Sequence, residues 1–237
     1  MKLIYLIFFI LTFKGYSQID FEEHIKSIQN NYYQSEDMNG MFNANERSVA
    51  FALGYLQKKG VNKRYITNKK LLNKISVKSF KKYSYIYFYD KLENGTKISI
   101  KINFKKFDKT KHSINIKDGY VEIDSLTPIG SYYEIPKLEI DCIEIKVNKK
   151  EVIIPKSSYI DLYEVTQEKF KQFYKPIEAY SSHDGEFIFI YIFGGNAADS
   201  FFSKLIFNKE KFITRITADY KQLLEWHTFN NDNFLGY

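Results

Sequence analysis

Two stretches of alternating residues flank Asn94-Gly95, and no other feature constrains the fold as tightly. Tyr85 to Tyr89 lies on one side, and on the other Ile98, Ile100, Ile102 and Phe104 recur at every second position. A period of two sends successive side chains to opposite faces of a strand. Asn-Gly supplies the left-handed backbone that a two-residue hairpin turn requires. The segment therefore predicts a β-hairpin. Lys97, Ser99, Lys101, Asn103 and Lys105 fall on its second face, which this pattern turns toward water, as one face of an antiparallel sheet commonly is.

The same reasoning extends toward the C-terminus. Asp118-Gly119 predicts a second hairpin that pairs Ile114 and Ile116 with Val121 and Ile123. The apolar phase changes between Cys142 and Ile143, which indicates a β-bulge there or a strand buried on both faces. Asn148 to Lys150 turns that strand into Glu151 to Pro155. Residues 156–165 read as a connector, and Thr166 caps a short helix carrying Phe170 and Phe173 that Pro176 ends. A four-stranded meander follows, over Ile177 to Ser181, Glu186 to Phe193, Phe201 to Phe207 and Lys211 to Ala218. The nearly continuous apolar run Phe187 to Phe193 fits a central strand covered on both faces. Tyr220 to Trp226 reads as a closing helix.

Upstream of Tyr83 the period is helical. Asp20 with Glu23 forms a capping box ahead of Phe21, Ile25, Ile28 and Tyr32. A second helix is expected from about Asn45 to Lys59, with Gly60 as its stop. A third starts at Thr67, with Leu71, Leu72, Ile75 and Phe80 on one side and Lys70, Lys74, Lys78 and Lys81 in a stripe on the other. The expected fold class is α+β: N-terminal helices, then antiparallel hairpins, then the meander and its closing helix. No repeat or long linker divides residues 18–237, so one domain is expected, with a subdivision near 155–165 as the alternative.

Residues 1–17 read as a signal peptide. Lys2 precedes the apolar run Leu3 to Phe13, and Gly15 and Ser17 occupy the −3 and −1 positions of a cut before Gln18. The run is too short to span a bilayer, which needs about 20 apolar residues. A secreted or periplasmic protein with no transmembrane segment in its mature chain is expected. Cys142 is the only cysteine, so no internal disulfide forms, and it is expected as a small buried residue.

The net charge of +7 comes almost entirely from lysine, with only Arg47, Arg64 and Arg215 as arginines. Base readout prefers the arginine fork, which argues against a nucleic-acid partner. The richness in Lys, Ile, Asn, Tyr and Phe has a common origin in A/T-heavy codons, and the single tryptophan, Trp226, argues against an aromatic sugar platform. Charge is unevenly placed, however. No acidic residue occurs between Glu46 and Asp90, where lysines and two arginines cluster. The stripe Lys70, Lys74, Lys78 and Lys81 is then either a solvated face or a docking surface for an anionic protein or envelope component, screened over about 8 Å at physiological ionic strength.

The loop from Gly194 to Ser200 is the best small-ligand candidate. Its glycines permit close backbone approach, and Asn196, Asp199 and Ser200 supply acceptors and a hydroxyl, with Asp219 returning to the same end of the sheet. Those residue types are also ordinary turn formers, so a plain hairpin connection competes with the site. His183-Asp184 cannot serve Ser200, because the intervening strand separates the two turns by about 26 Å, against the roughly 3 Å that a base and a nucleophile require. There is no G-x-S-x-G, P-loop, C-x-x-C or H-E-x-x-H. No catalytic residue, metal or cofactor is assigned.

The region from Ile153-Ile154-Pro155 through Asp161-Leu162-Tyr163 to Gly194-Gly195-Asn196-Ala197-Ala198-Asp199-Ser200-Phe201-Phe202 resembles the C-terminal part of uncharacterised secreted bacterial proteins. The resemblance covers the last third of the chain and implies a strand pattern without an activity. The functional expectation is a non-catalytic binding or protein-interaction module, of the inhibitor or immunity kind, because shape and charge complementarity leave no catalytic motif. A small envelope hydrolase or ligand-binding enzyme at the Gly194 to Ser200 loop is the alternative.

Overall fold

The computed structural model describes residues 41–43, 59–61, 71–167, 176–195 and 199–218, all within one compact unit, 40–237. Thirteen strands are numbered in chain order: β1 (Met41–Asn43), β2 (Asn73–Ile75), β3 (Val77–Lys81), β4 (Tyr85–Lys91), β5 (Lys97–Lys106), β6 (Ile114–Lys117), β7 (Tyr120–Ile123), β8 (Leu138–Val147), β9 (Lys150–Glu151), β10 (Ile177–Ser181), β11 (Phe187–Gly194), β12 (Phe201–Asn208) and β13 (Phe212–Ala218). They build a six-stranded sheet in the order β1-β13-β12-β11-β10-β2, a five-stranded sheet in the order β3-β4-β5-β8-β9, and the two-stranded β6-β7. Neighbours run antiparallel except β1 and β13, which are parallel.

The two larger sheets enclose one core. From the five-stranded sheet come Ile86, Phe88, Ile98, Ile100, Ile102, Ile143 and Ile145, and from the six-stranded sheet Ile75, Ala179, Ile188, Ile190, Leu205 and Phe207. Full burial of each such side chain is worth about 1.5–3 kcal/mol relative to exposure. The sheets are also joined along both flanks. On one, the chain passes from β2 to β3 through Ser76 alone, whose carbonyl accepts from the Tyr89 N–H at 3.0 Å. On the other, Ile153 N–H donates to Glu210 O and Phe212 N–H donates to Ile153 O, both at 2.8 Å.

The connector after β9 enters the core. Tyr159, Leu162 and Val165 pack in it, and Asp161 pairs with Arg215 on β13. The guanidinium grips the carboxylate with two nitrogens, at 2.5 and 2.7 Å, and donates to Ser158 O at 3.2 Å. Arg215 is only 1% exposed. Both hairpins form as the turn chemistry dictates, β4 with β5 across Asn94-Gly95 and β6 with β7 across Asp118-Gly119. The phase change in β8 is a bulge: Asn103 faces Cys142 and Phe104 faces Ile140, leaving Asp141 unpaired.

The α+β expectation is overturned. The described residues are almost entirely strand and turn, with helical geometry limited to short 3-10 turns such as Lys109–Lys111 and Lys156–Ser158. The stretch expected to continue the third helix forms β2 and β3 instead. Its Ile75, Val77 and Phe80 suit a pleated surface as well as a helix face. Strand pairing also gives the backbone groups of β10 and β4 partners that a helix could not supply. The expected helices beginning at Asp20 and Thr166 and the closing helix Tyr220 to Trp226 lie wholly or almost wholly outside the described residues. Of the second helix only Lys59 and its stop Gly60, at φ +81°, are described. No helix of the described residues is long and apolar enough to cross a membrane.

Candidate functional site

The rim at the end of β11 and β12 is assembled by glycine. Gly194 pairs with Phe201 across the ladder, and a Cβ on Gly194 or Gly130 would lie 2.5 or 2.7 Å from the Phe201 ring. Without those methyl groups the segments around residues 130 and 164 close over the ring, and Gly195 N–H donates to Glu164 O at 2.9 Å. Gly195 itself sits at φ +79°, where a side chain would collide with the carbonyl of Asp199. Asp199 is 9% exposed. One of its oxygens accepts from Tyr132 N–H at 3.1 Å, and the other is sealed from solvent without a partner. Ser200 is half-buried beside it. Asn196 and Asp219, expected on the same rim, lie outside the described residues.

Asp199 thus acts as a tether for the 130–133 turn rather than as an exposed reagent. Above that turn the rings of Tyr120 and Tyr133 lie 5.3 Å apart, both exposed. Their mutual hydrogen bond raises the Tyr133 hydroxyl pKa. His183 stands in the turn at the opposite end of β11, as the strand length requires.

A second cluster carries more ionisable groups. His112 stacks on Phe107 with centroids 4.6 Å apart. It reaches Asp124 through Nδ1 at 2.7 Å and Glu139 through Nε2 at 3.6 Å. Lys105 bridges Asp141 at 3.1 Å and Glu139 at 3.5 Å. The His112 hydrogen bond holds the Asp124 carboxyl below its ordinary range, and Ser113 N–H adds to this. Burial, reinforced by Glu139, Asp124 and Asp161, pushes the Tyr163 hydroxyl up. The cluster fastens β6 and β7, whose Val121 and Ile123 pack with Phe107 and Tyr163. Its members come from separate segments with no motif between them, so spacing could not reveal it. Among the described residues no group of His, Cys, Asp and Glu could hold a metal.

The third region is the outer face of the five-stranded sheet. Because Ile86 and Phe88 point inward, Tyr85, Tyr87 and Tyr89 project outward as a row on β4, each partly exposed. Register sets their neighbours. Tyr85 lies between Lys81 and Asn103, Tyr87 between Ser79 and Lys101, and Tyr89 beside Ser99, while Lys91 pairs with Lys97 at the end of the row. On β8, Cys142, Glu144 and Lys146 extend the same face. Lys101 Nζ lies 5.6 Å from the Tyr85 ring centroid. Lys146 is engaged by Glu151 at 3.2 Å. No carboxylate of the described residues pairs with Lys81, Lys91, Lys97 or Lys101.

The expected helical lysine stripe is therefore dispersed. Lys74 is on β2 in the other sheet, bound to Glu178 at 2.6 Å. Lys78 is the unpaired residue of a register shift in β3, and Lys81 alone flanks the tyrosine row. Lys70 lies outside the described residues. Cys142 is half-buried rather than buried, with Asn103 Nδ2 at 3.0 Å from its sulfur and Glu144 at 3.7 Å. The signal for the row was the phase of Tyr85, Tyr87 and Tyr89 against Ser99, Lys101 and Asn103 across the Asn94-Gly95 turn.

Comparison with protein-family models, with curated proteins and with solved structures finds no match to this chain.

Proposed function

We propose that this protein is a non-catalytic binding module, secreted or periplasmic, that takes an anionic partner on the outer face of its five-stranded sheet. The supporting observation is the tyrosine row bordered by Lys81, Lys91, Lys97 and Lys101, none of them neutralised by a described carboxylate. Three large amphipathic side chains on a firm sheet offer contact area at little conformational cost. Exposed lysines add long-range attraction that salt weakens. The rim supports a hydrolase less well, because the free oxygen of Asp199 is sealed from solvent.

Affinity capture from an envelope extract tests the reading, comparing the protein with a Lys81→Gln, Lys97→Gln, Lys101→Gln variant at low and high salt. The expected result is a partner retained at low salt, released at high salt and lost by the variant. Retention by the variant with unchanged salt dependence would contradict it.

A further inference from the structure

The composition of the outer face narrows the anionic partner to one chemical class, given that this face is the binding surface. Recognition there rests on side chains. β4 and β5 are each paired on both sides, so the backbone N–H and C=O groups beneath Tyr87, Lys97 and Lys101 are already used, and an extended peptide could join only at an edge strand such as β3, away from them. Apart from its three tyrosines the face carries Lys, Ser, Asn, Glu and Cys, and Lys, Ser and Glu are depleted at the buried centre of a protein interface. An acidic protein is thus a poor fit.

Glu144 separates the remaining candidates. It stands in the same cross-strand row as Tyr87 and Lys101 and already accepts from Asn103 at 3.0 Å. A phosphodiester backbone following the lysines presents only acceptor oxygens and brings this carboxylate no hydrogen-bond donor. A hydroxyl-bearing polymer would donate to it, and Ser99 and Asn103 offer further hydrogen-bonding groups nearby. Lysine suits such a ligand too, since an ammonium is a compact point charge on a flexible stem and needs no fixed bidentate geometry. Tyr85, Tyr87 and Tyr89 repeat every ~6.7 Å along one strand and make a platform ~13 Å long, enough for a short run of sugar rings. The shortage of tryptophan matters less once three tyrosines are aligned.

We infer that the outer face binds a linear acidic polysaccharide of the polyuronate type, with sugar rings laid on Tyr85, Tyr87 and Tyr89, ring carboxylates against Lys81, Lys97 and Lys101, and ring hydroxyls donating to Glu144.

The test is binding of the purified protein to four fluorescent polymers at low salt: polygalacturonate, neutral dextran, polyglutamate and an oligo-deoxythymidylate. Polygalacturonate alone should bind. Tyr87→Ala and Lys101→Gln should each weaken it by roughly tenfold, the scale of one lost charge-assisted or stacking contact, and Tyr87→Phe, which keeps the ring, should largely restore it. Circular dichroism and melting of each variant separate lost binding from lost folding. If polyglutamate or the oligonucleotide binds as tightly as polygalacturonate, the polyuronate assignment is overturned while the anionic face stands. Equal binding of dextran would remove the role of charge. If polygalacturonate binds but Tyr87→Ala is unaffected, the stacking platform is wrong. Binding of none of the four would overturn both the assignment and the anionic face.

Discussion

The six-stranded and five-stranded sheets share one core but differ on their other faces. On β11 and β12 the residues that point away from that core, among them Phe189, Ile206 and Lys204, are as buried as those that point into it. On β4 and β5 the corresponding residues are Tyr85, Tyr87, Tyr89, Ser99 and Lys101, all partly exposed. Both sheets set lysine against aromatic rings: Lys204 lies 5.3 Å from the Phe189 ring and 5.0 Å from the Tyr191 ring, much as Lys101 lies over Tyr85. Composition therefore does not separate an interior face from an open one. Periodicity does, because the near-continuous apolar run of β11 needs cover on both sides, while the strict alternation of β5 leaves one side for water or for a ligand.

That contrast can be broken first at the buried sheet. Arg215→Met leaves Asp161 as an uncompensated charge in the interior and should cost about 3–5 kcal/mol in urea unfolding. Adding Asp161→Leu should recover most of the loss, since a buried ion pair exchanged for apolar groups of similar volume is often neutral. If the double variant were as unstable as the single one, the pair would be contributing more than charge compensation.

Aromatic truncations sharpen the comparison directly. Phe189→Ala should cost about 3–5 kcal/mol through lost burial and the cavity left behind. Tyr87→Ala, on the open face, should cost no more than about 1 kcal/mol through its cross-strand neighbours. Equal costs would mean that the outer face is structural.

The smallest expected effect is a local pH response at the His112 cluster. The Asp124 carboxyl is held below its ordinary range, chiefly by His112. Its stabilising contribution is therefore present above the normal carboxylate pKa of about 4 and fades as pH falls through the lowered native value. The protection of the Ser113 amide, whose N–H donates to Asp124 at 2.8 Å, measured against the intrinsic exchange rate at each pH, should fall in acid before that of the Ile100 and Ile102 amides. Asp124→Asn should remove that acid step, and a step that survives the substitution would place its origin elsewhere.

What could be read from the sequence follows the range of each interaction. The two hairpins, the bulge beside Cys142 and the four strands of the meander were legible because period and turn chemistry are local. Leu71, Leu72, Ile75 and Phe80 were not decisive, since their spacing satisfies a helix face and two short strands alike. The choice is made by the open edges of β10 and β4, far along the chain. Asp161 with Arg215 and His112 with Glu139 were invisible for the same reason. At the candidate site, the wet side of β5 was legible and Lys81 keeps a place beside it. The lysine stripe was misplaced because it was projected on a helix. The tyrosines become a platform only once β4 is registered between β3 and β5.

The most direct test of the claim that the open sheet face is where this protein binds is a titration of the isotopically labelled protein with polygalacturonate, followed by amide chemical shifts. The account predicts that shifts concentrate on Tyr85, Tyr87, Tyr89, Ser99, Lys101 and Glu144 and vanish in high salt. Shifts confined instead to Tyr120, Tyr133 and the 194–201 rim, with β4 and β5 silent, would contradict it.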